Sequence, residues 1–299
     1  MPTPRLTAQD FDQELLILFD AYVHGGIDRR GFLERAQKYA TASVTAVGLL
    51  AALSPDFARG QQIKPDDARV KTEWISYQSP NGTGTMKGYL ARPANAGAAL
   101  LPAILVVHEN RGLNPHIEDI TRRLALEGYM AFAPDALTPL GGYPGDEDKA
   151  REAFSKLDQS KTREDFVAAA SWLKARPDGT GKMGVTGFCY GGGIAHMLST
   201  KLPDLNAAVP FYGNHPALDD AAKVKAPLLI HFAGIDERIN AAWPAYEAAL
   251  KAANVPHTAY SYAGTQHGFH NDTTPRFDAS AAKLAWERTL AFFEQKLKS

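Results

Sequence analysis

The only cysteine of the sequence stands in its sharpest motif, G-F-C-Y-G, which is centred on Cys189. The motif follows a short apolar run and opens a stretch of small residues, which is the strand–turn–helix context of a nucleophile elbow. A thiol at a helix N-terminus has a lowered pKa, which favours the attacking thiolate. The motif therefore predicts a cysteine nucleophile, with a buried structural cysteine as the alternative.

Two further residues could complete a catalytic triad. Asp236 comes after the apolar run Leu228–Ala233, and His267 comes after the last predicted strand. Either residue alone could cap a turn or lie in a surface loop. The chain order of nucleophile, acid and histidine is that of the α/β-hydrolases, and each residue follows a strand. This combination favours a triad of Cys189, His267 and Asp236.

The elements that must position these residues alternate between strands and helices from Arg69 onward. Continuous apolar runs predict strands that are buried on both faces, and amphipathic spacing predicts the helices between them. The pattern predicts an α/β fold, with a mostly parallel central sheet flanked by helices on both faces. The predicted strands are Trp74–Tyr77, Met86–Ala91, Ala103–His108, Tyr129–Ala133, Met183–Thr186, Ala207–Tyr212, Leu228–Ala233 and Thr258–Tyr262.

The first sixty residues differ from the rest and predict a helical extension over residues 1–60, followed by a catalytic domain over residues 61–299. The run Arg29-Arg30-Gly31-Phe32-Leu33 and the apolar stretch after it resemble a twin-arginine export signal. The alternative is a set of short amphipathic helices that stay attached and pack on the body or mediate a homodimer. Export would place the protein in the periplasm, and retention would place it in the cytoplasm.

Composition restricts the class of protein. Lysine and arginine number 32 against 33 aspartates and glutamates, so the net charge of −1 gives no general attraction to nucleic acid. The sequence contains no apolar stretch of the roughly 18 residues that span a bilayer. A single cysteine excludes an intrachain disulfide and a cysteine-based zinc site. We therefore expect no nucleic acid partner and no metal.

The motifs around the three predicted triad residues resemble those of the dienelactone hydrolase family. The matching motifs are G-F-C-Y-G-G-G at Cys189, G-x-D at Asp236 and H-G-F at His267, and the resemblance covers about Val70 to Lys298. It implies an α/β-hydrolase fold and hydrolysis of a small-molecule ester or lactone. The implied chemistry needs neither a metal nor an organic cofactor.

The same resemblance assigns roles to the segment V-V-H-E-N-R-G-L, which contains Glu109 and Asn110. It implies that Glu109 helps to generate the thiolate and then swings away. It also implies that the backbone N–H of Asn110 is an oxyanion donor beside that of Tyr190, which starts the predicted helix. The alternative for Glu109 is a structural carboxylate paired with Arg111.

Substrate-binding residues are less clearly marked in the sequence. A dienelactone carries a carboxylate that needs a cationic partner, but no arginine stands in a clear local match. We expect a cap over the site from the loop Leu137–Asp148. The candidate substrate-binding residues are Arg111, Tyr143 and His270, with Arg151 and Arg276 as further arginines.

Three other functions remain open at this point. The fold could carry a thiol-dependent transferase or a thioesterase, which product analysis would separate from an esterase. It could carry a binding protein without activity, although every expected catalytic residue is present. A redox-sensing thiol would need a resolving cysteine or reduction by a small molecule, and the chain has no second cysteine.

Overall fold

An eight-stranded sheet forms the centre of the protein in the computed structural model, which describes residues 5–299. Antiparallel pairing joins the first two strands, and the second is antiparallel to the fourth; the other neighbours are parallel. The strands are β1 Val70–Ser79, β2 Gly84–Pro93, β3 Leu101–Val107, β4 Met130–Pro134, β5 Gly179–Phe188, β6 Ala207–Phe211, β7 Leu228–Ile235 and β8 His257–Gln266. Their order in the sheet is β1-β2-β4-β3-β5-β6-β7-β8.

Helices cover both faces of this sheet. Residues of α5 (Pro115–Leu126) and α11 (Ala279–Leu297) pack in the core on one face, and residues of α7 (Gln159–Lys174), α8 (Tyr190–Lys201) and α10 (Trp243–Ala252) pack in the core on the other. The predicted α/β architecture is therefore confirmed. The α-helices are α1 Gln13–Val23, α2 Arg29–Ala36, α3 Ala46–Leu53, α4 Phe57–Gly60, α5 Pro115–Leu126, α6 Glu147–Ser155, α7 Gln159–Lys174, α8 Tyr190–Lys201, α9 Glu237–Asn240, α10 Trp243–Ala252 and α11 Ala279–Leu297.

The central strand β3 shows why a continuous apolar run is needed at this place. Leu105 and Val107 pack in the core on one face, and Ile104 and Val106 pack in the core on the other. Successive side chains of a strand point to opposite faces, so a strand that is covered on both sides must be apolar at every position. This strand ends directly before the segment that contains Glu109 and Asn110.

The N-terminal segment, residues 5–60, has a small core of its own. That core is built by α1, α2 and α3 and includes Phe19, Phe32 and Leu50. The helix α1 begins after Asp12, whose carboxylate caps it by accepting a hydrogen bond from the backbone N–H of Glu14 at 2.8 Å. No helix within residues 5–299 is long and apolar enough to cross a membrane.

The arginine pair of the signal-like run lies at the start of α2. Arg29 forms an ion pair with Asp148 at 2.7 Å, and Arg30 pairs with Glu34 one turn further along the same helix. Asp148 also accepts a hydrogen bond from the hydroxyl of Tyr22. The pair is thus part of a folded helix, and one of its members helps to attach the N-terminal segment to the body.

The turn between β5 and α8 leaves no space for a side chain at Gly191. A Cβ there would lie 2.2 Å from the carbonyl oxygen of Val107, a backbone atom that the sheet holds in place. We expect Gly191→Ala to lower the free energy of unfolding by about 3 kcal/mol, because overpacking against fixed backbone strains the core. Urea unfolding followed by circular dichroism measures this change.

Gly193→Ala in the same helix is the matched control. A Cβ at Gly193 would meet its nearest neighbour, the carbonyl oxygen of Asn214, at an ordinary 3.5 Å. Alanine restricts the unfolded chain more than glycine does, so this variant should gain about 0.4 to 1 kcal/mol. Equal stability of the two variants would contradict the close approach at Gly191.

Candidate active site

Cys189 occupies the sharp turn between β5 and α8 in a strained backbone conformation, with φ +58° and ψ −112°. Residues other than glycine adopt positive φ rarely and at a cost of about 1 to 3 kcal/mol. The backbone N–H of Cys189 donates to the carbonyl of Phe211 at 3.0 Å, which ties the turn to β6. The strand–turn–helix context expected for a nucleophile elbow is present, and the thiol is partly buried.

His267 and Asp236 lie at the carboxyl ends of β8 and β7, next to this turn. Nδ1 of His267 donates to Oδ2 of Asp236 at 2.6 Å, and both side chains are buried. A ring nitrogen of His267 lies within 4.8 Å of Sγ of Cys189, and Nε2 has no hydrogen-bond partner within residues 5–299. The carboxylate thus fixes the tautomer that leaves Nε2 free to accept a proton near the sulfur.

Two backbone N–H groups are available for an oxyanion. The N–H of Tyr190 is at the N-terminus of α8, and that of Asn110 is in the segment after β3. Neither donates to an acceptor within the described part of the chain. The side-chain amide of Asn110 is used differently, since it donates to the carbonyl of Val23 in the N-terminal segment at 2.8 Å.

Glu109 has a different partner from the expected one. Its Oε2 accepts a hydrogen bond from Nδ2 of Asn271 at 3.0 Å, and within residues 5–299 Glu109 itself forms no hydrogen bond to Cys189. Both residues line a small cavity of about 50 Å³ beneath the N-terminal segment. Glu109 is therefore near the thiol but bonded elsewhere, and its part in forming the thiolate stays a prediction.

A second histidine, His24, lies beside the thiol. It follows the C-terminus of α1, and its Nε2 is 3.2 Å from Sγ of Cys189. Its ring meets that of His267 edge-to-face, with 4.7 Å between ring centroids. The sequence prediction does not include His24, because it stands far before the motif in the chain and no local signal shows which surface α1 packs on.

The two histidines shift the pKa of the thiol. Burial opposes ionisation of Cys189, but the nearby His24 and His267 outweigh burial and lower the pKa of the thiol to about 6. Burial opposes protonation of His267 as well, yet the charge of Cys189 and the hydrogen bond that His267 donates to Asp236 raise the pKa of His267. The site therefore favours a thiolate next to an imidazolium.

The nitrogen and sulfur atoms of His24, Cys189 and His267 all lie within 4.8 Å of one another, close enough to share an ion. The catalytic interpretation uses the same three atoms, and we assign no metal to them. The expectation that the reaction needs neither a metal nor another cofactor stays a prediction.

A cavity of about 380 Å³ opens onto Cys189 and is the candidate substrate pocket. The N-terminal segment forms one wall of it through His24, and α6 forms another. Two arginines reach this cavity, Arg151 from α6 and Arg238 from α9. Arg238 is also absent from the sequence prediction. Further lining residues are Asn110, Phe154, Gln159, Tyr190, Tyr212, Asn214 and Ile239.

The structure places the three tentative substrate-binding residues away from this cavity. Arg111 is buried and donates to the carbonyl of Val23 and to Oδ1 of Asn110. Tyr143 lines a separate cavity, and its hydroxyl donates to Glu147 at 2.9 Å. His270 stacks on Phe188, and burial lowers its pKa to about 3. Their roles toward substrate stay predictions, whereas Arg151 and Arg238 are the arginines that line the pocket.

Comparison with families of known proteins gives two matches to this chain. The model of the dienelactone hydrolase family matches residues 86–297, which include Cys189, Asp236 and His267. A second model, described as YqhI-like, matches residues 2–41, which include His24. The two matched ranges do not overlap, and together they contain every residue of the site described above.

Individual relatives agree with the first match. A protein of Escherichia coli K12 that is provisionally named a carboxymethylenebutenolidase is 34% identical over 247 residues, which are 77% of this chain and 89% of that protein. The provisionally named hydrolase fragment YghX of the same strain is 49% identical over 115 residues, 38% of this chain and 97% of the fragment. The crystal structure of a provisionally assigned dienelactone hydrolase from Klebsiella pneumoniae is 32% identical, with a TM-score of 0.66 and coverage of 75% of this chain and 99% of that one.

Proposed function

Because the chain belongs to the dienelactone hydrolase family and is a hydrolase of lactones or esters, we propose that Cys189, His267 and Asp236 are its catalytic triad. The observation that carries this proposal is the strained Cys189 turn beside a buried His267–Asp236 pair with a free Nε2. Cleavage then passes through a cysteinyl acyl-enzyme.

In the acylation step, the thiolate sulfur attacks the carbonyl carbon of the ester or lactone. The charge that develops on the carbonyl oxygen is stabilised by the backbone N–H groups of Tyr190 and Asn110. The carbon–oxygen bond then breaks, and the leaving oxygen receives the proton that the thiol has lost. In a lactone the leaving oxygen stays attached to the acyl group through the opened ring.

In the deacylation step, Nε2 of His267 removes a proton from water, and the hydroxide attacks the thioester carbonyl. The carbon–sulfur bond breaks, the acid is released, and the proton on His267 replaces the one that the thiol gave to the leaving oxygen. Asp236 holds the imidazole in position and stabilises its charged form. The cysteinyl acyl-enzymes that form from ordinary esters are hydrolysed slowly. The proposal therefore favours lactones, enol esters and activated carboxylic esters as substrates.

We propose further that the preferred substrate is a lactone carrying a carboxylate. Arg238 and Arg151 line the same cavity as Cys189, and a guanidinium binds a carboxylate through charge-assisted hydrogen bonds. Nη1 of Arg151 already donates to the carbonyl of Tyr22. Arg238 is the more available of the two, because 41% of its side chain is exposed.

A substrate panel tests this function directly. We expect a carboxylate-bearing enol lactone to be hydrolysed with a kcat/KM about 10- to 100-fold above that of its methyl ester, since a hydrogen bond to a charged group contributes about 1.5 to 3 kcal/mol. Arg238→Gln should remove most of this preference, which is measured as the ratio of kcat/KM for the acid to kcat/KM for the methyl ester within each protein. Rates are measured by the absorbance of the lactone and of its product.

Arg69→Gln is the matched control, because Arg69 is exposed, lies just before β1 and forms an ion pair with Asp67. It should behave like the unchanged protein toward every substrate. Turnover of neutral aryl esters alone would keep the triad and reject the carboxylate-bearing lactone. No turnover of any lactone or ester would reject the proposed mechanism.

We propose that residues 1–60 are a retained extension that packs on a catalytic domain over residues 61–299. Contacts between the segment and the body support retention, among them the Arg29–Asp148 ion pair and the bond from Asn110 to Val23. A cytoplasmic location would follow from retention. A homodimer through the N-terminal helices stays a prediction.

A further inference from the structure

The second histidine at the thiol is oriented in the same way as the first. Nδ1 of His24 donates to the backbone carbonyl of Asp20 at 2.8 Å and lies 3.3 Å from the carboxylate Oδ2 of that residue. This contact fixes the proton on Nδ1 and makes Nε2 the acceptor of the ring, which the thiol and Nη2 of Arg238 both face. Nε2 faces the sulfur of Cys189 at 3.2 Å, a distance at which an S–H group donates directly to it.

We propose that His24 accepts the thiol proton, so that the resting enzyme holds a Cys189 thiolate paired with a His24 imidazolium. The S–H bond breaks, an N–H bond forms on Nε2, and the net charge of the pair does not change. During acylation, His24 returns this proton to the leaving oxygen. This role deepens the proposed hydrolysis and rests on it, because it identifies the carrier of the proton that the thiol loses.

His24 is better placed for this task than the two other bases nearby. Glu109 is hydrogen-bonded to Asn271 at 3.0 Å. His267 is held by Asp236, and a charged His24 disfavours its protonation, because two imidazolium rings with centroids 4.7 Å apart repel each other. The two histidines thus divide the two proton transfers of the reaction between them.

The charges that face His24 come from α1, from the turn between β5 and α8, from the end of β8 and from α9. Asp20 on α1 and the thiolate favour its charged form, whereas burial, His267 and Arg238 oppose it; Nη2 of Arg238 is 3.3 Å from Nε2. Arg238 is also 4.0 Å from Asp20 and is partly in solvent, which weakens its field. The balance favours protonation: despite burial, Cys189 and Asp20 raise the pKa of His24 to about 10.

The N-terminal segment brings His24 to the site without filling the pocket. The carbonyl of Val23, next to His24, accepts hydrogen bonds from the side chains of Asn110 and Arg111. The cavity of about 380 Å³ that opens onto Cys189 is present with His24 in place and is lined by it. His24 therefore lines the pocket and contacts the reacting sulfur. The N-terminal segment thus supplies a catalytic residue.

The pH dependence of thiol alkylation tests this proposal. Iodoacetamide reacts with the thiolate, so the alkylation rate of the unchanged protein should reach half its maximum near pH 6, the pKa of Cys189. His24→Gln cannot hold the proton, and we expect its half-maximum to move upward by about 1 to 3 pH units. Asp20→Asn should shift it in the same direction by less. At higher pH, the alkylation rate of His24→Gln should recover.

His257→Gln is the matched control. His257 also donates from Nδ1 to a backbone carbonyl, that of Val255 at 2.8 Å, and lies 4.0 Å from the carboxylate of Glu247. It is on β8, outside the site. This variant should keep the half-maximum near pH 6. A half-maximum that also stays near pH 6 in His24→Gln would overturn the proposal.

A second measurement keeps His24 in place. Nitrogen NMR of the histidine rings should find His24 protonated at pH 8 in the unchanged protein. In Cys189→Ala, which lacks the thiolate, its pKa should fall by at least about one unit. An unchanged His24 signal in the variant would overturn the ion pair. Neither measurement uses a substrate, so the ion pair can fail while lactone hydrolysis through Cys189 is upheld, and the reverse.

Discussion

Cys189→Ala should lower kcat for any substrate of this enzyme by at least about 10⁴-fold, because the variant has no atom that can form the acyl-enzyme. The pocket, the His267–Asp236 pair and the two oxyanion N–H groups remain in the variant. Substrate binding should therefore change little, and the loss should be in kcat. Steady-state kinetics and intact-mass spectrometry after mixing with p-nitrophenyl acetate measure both effects.

Cys189→Ser is the control that separates the nucleophile from the shape of the site. Serine keeps the side-chain size and the strained backbone of position 189. Its hydroxyl stays protonated where the thiol, with a pKa lowered to about 6, is ionised. We expect Cys189→Ser to remain at least about 10³-fold slower than the unchanged protein. Equal rates in all three proteins, or an acyl adduct on Cys189→Ala, would reject Cys189 as the nucleophile.

His267→Gln should produce the second-largest loss, a fall in kcat of about 10³- to 10⁴-fold, the range for a positioned acid or base. Removal of the free Nε2 takes away the base that activates water, so the acyl-enzyme should accumulate. A rapid burst of p-nitrophenol followed by slow turnover, together with a persistent adduct in the mass spectrum, is the expected result.

Asp236→Asn tests the supporting role of the carboxylate. It leaves the imidazole present but weakens its orientation through the 2.6 Å contact, so the loss of kcat should be smaller, about 10²-fold. His231→Gln is a control outside the site, since His231 is buried beside Thr289 and Tyr262. A loss in kcat for His267→Gln without an accumulated adduct would contradict its assignment to deacylation.

The sheet and most helices could be predicted from periodicity alone, because a parallel strand that is covered on both faces must be apolar throughout. The predicted strands are shorter than the observed ones where polar residues continue the pairing with the neighbouring strand. The last strand was predicted over Thr258–Tyr262, but it extends from His257 to Gln266. The residues beyond the predicted end, Ala263 to Gln266, are small or polar, which hides the end of the strand from a pattern based on hydrophobicity.

The proposed triad could be predicted because each of its members follows a strand in the order of a known fold. His24 could not, because its role depends on which surface α1 packs against. That choice is made by contacts between distant residues, such as the hydrogen bonds from Asn110 and Arg111 to Val23. The local sequence of an amphipathic helix shows that one face is buried, but it does not identify the surface that buries it.

Because the N-terminal segment has a separate core, this enzyme contains two units that unfold cooperatively, the segment and the sheet with its helices. The cluster around Phe19, Phe32 and Leu50 belongs to residues 15–53, whereas the sheet has its own two clusters. Partial unfolding of a chain occurs in such cooperative units, each with its own free energy. Release of the small unit would leave the sheet folded and separate His24 from the sulfur. Activity would then be lost at a lower temperature than the fold, and the thiol would return toward an ordinary, unreactive state.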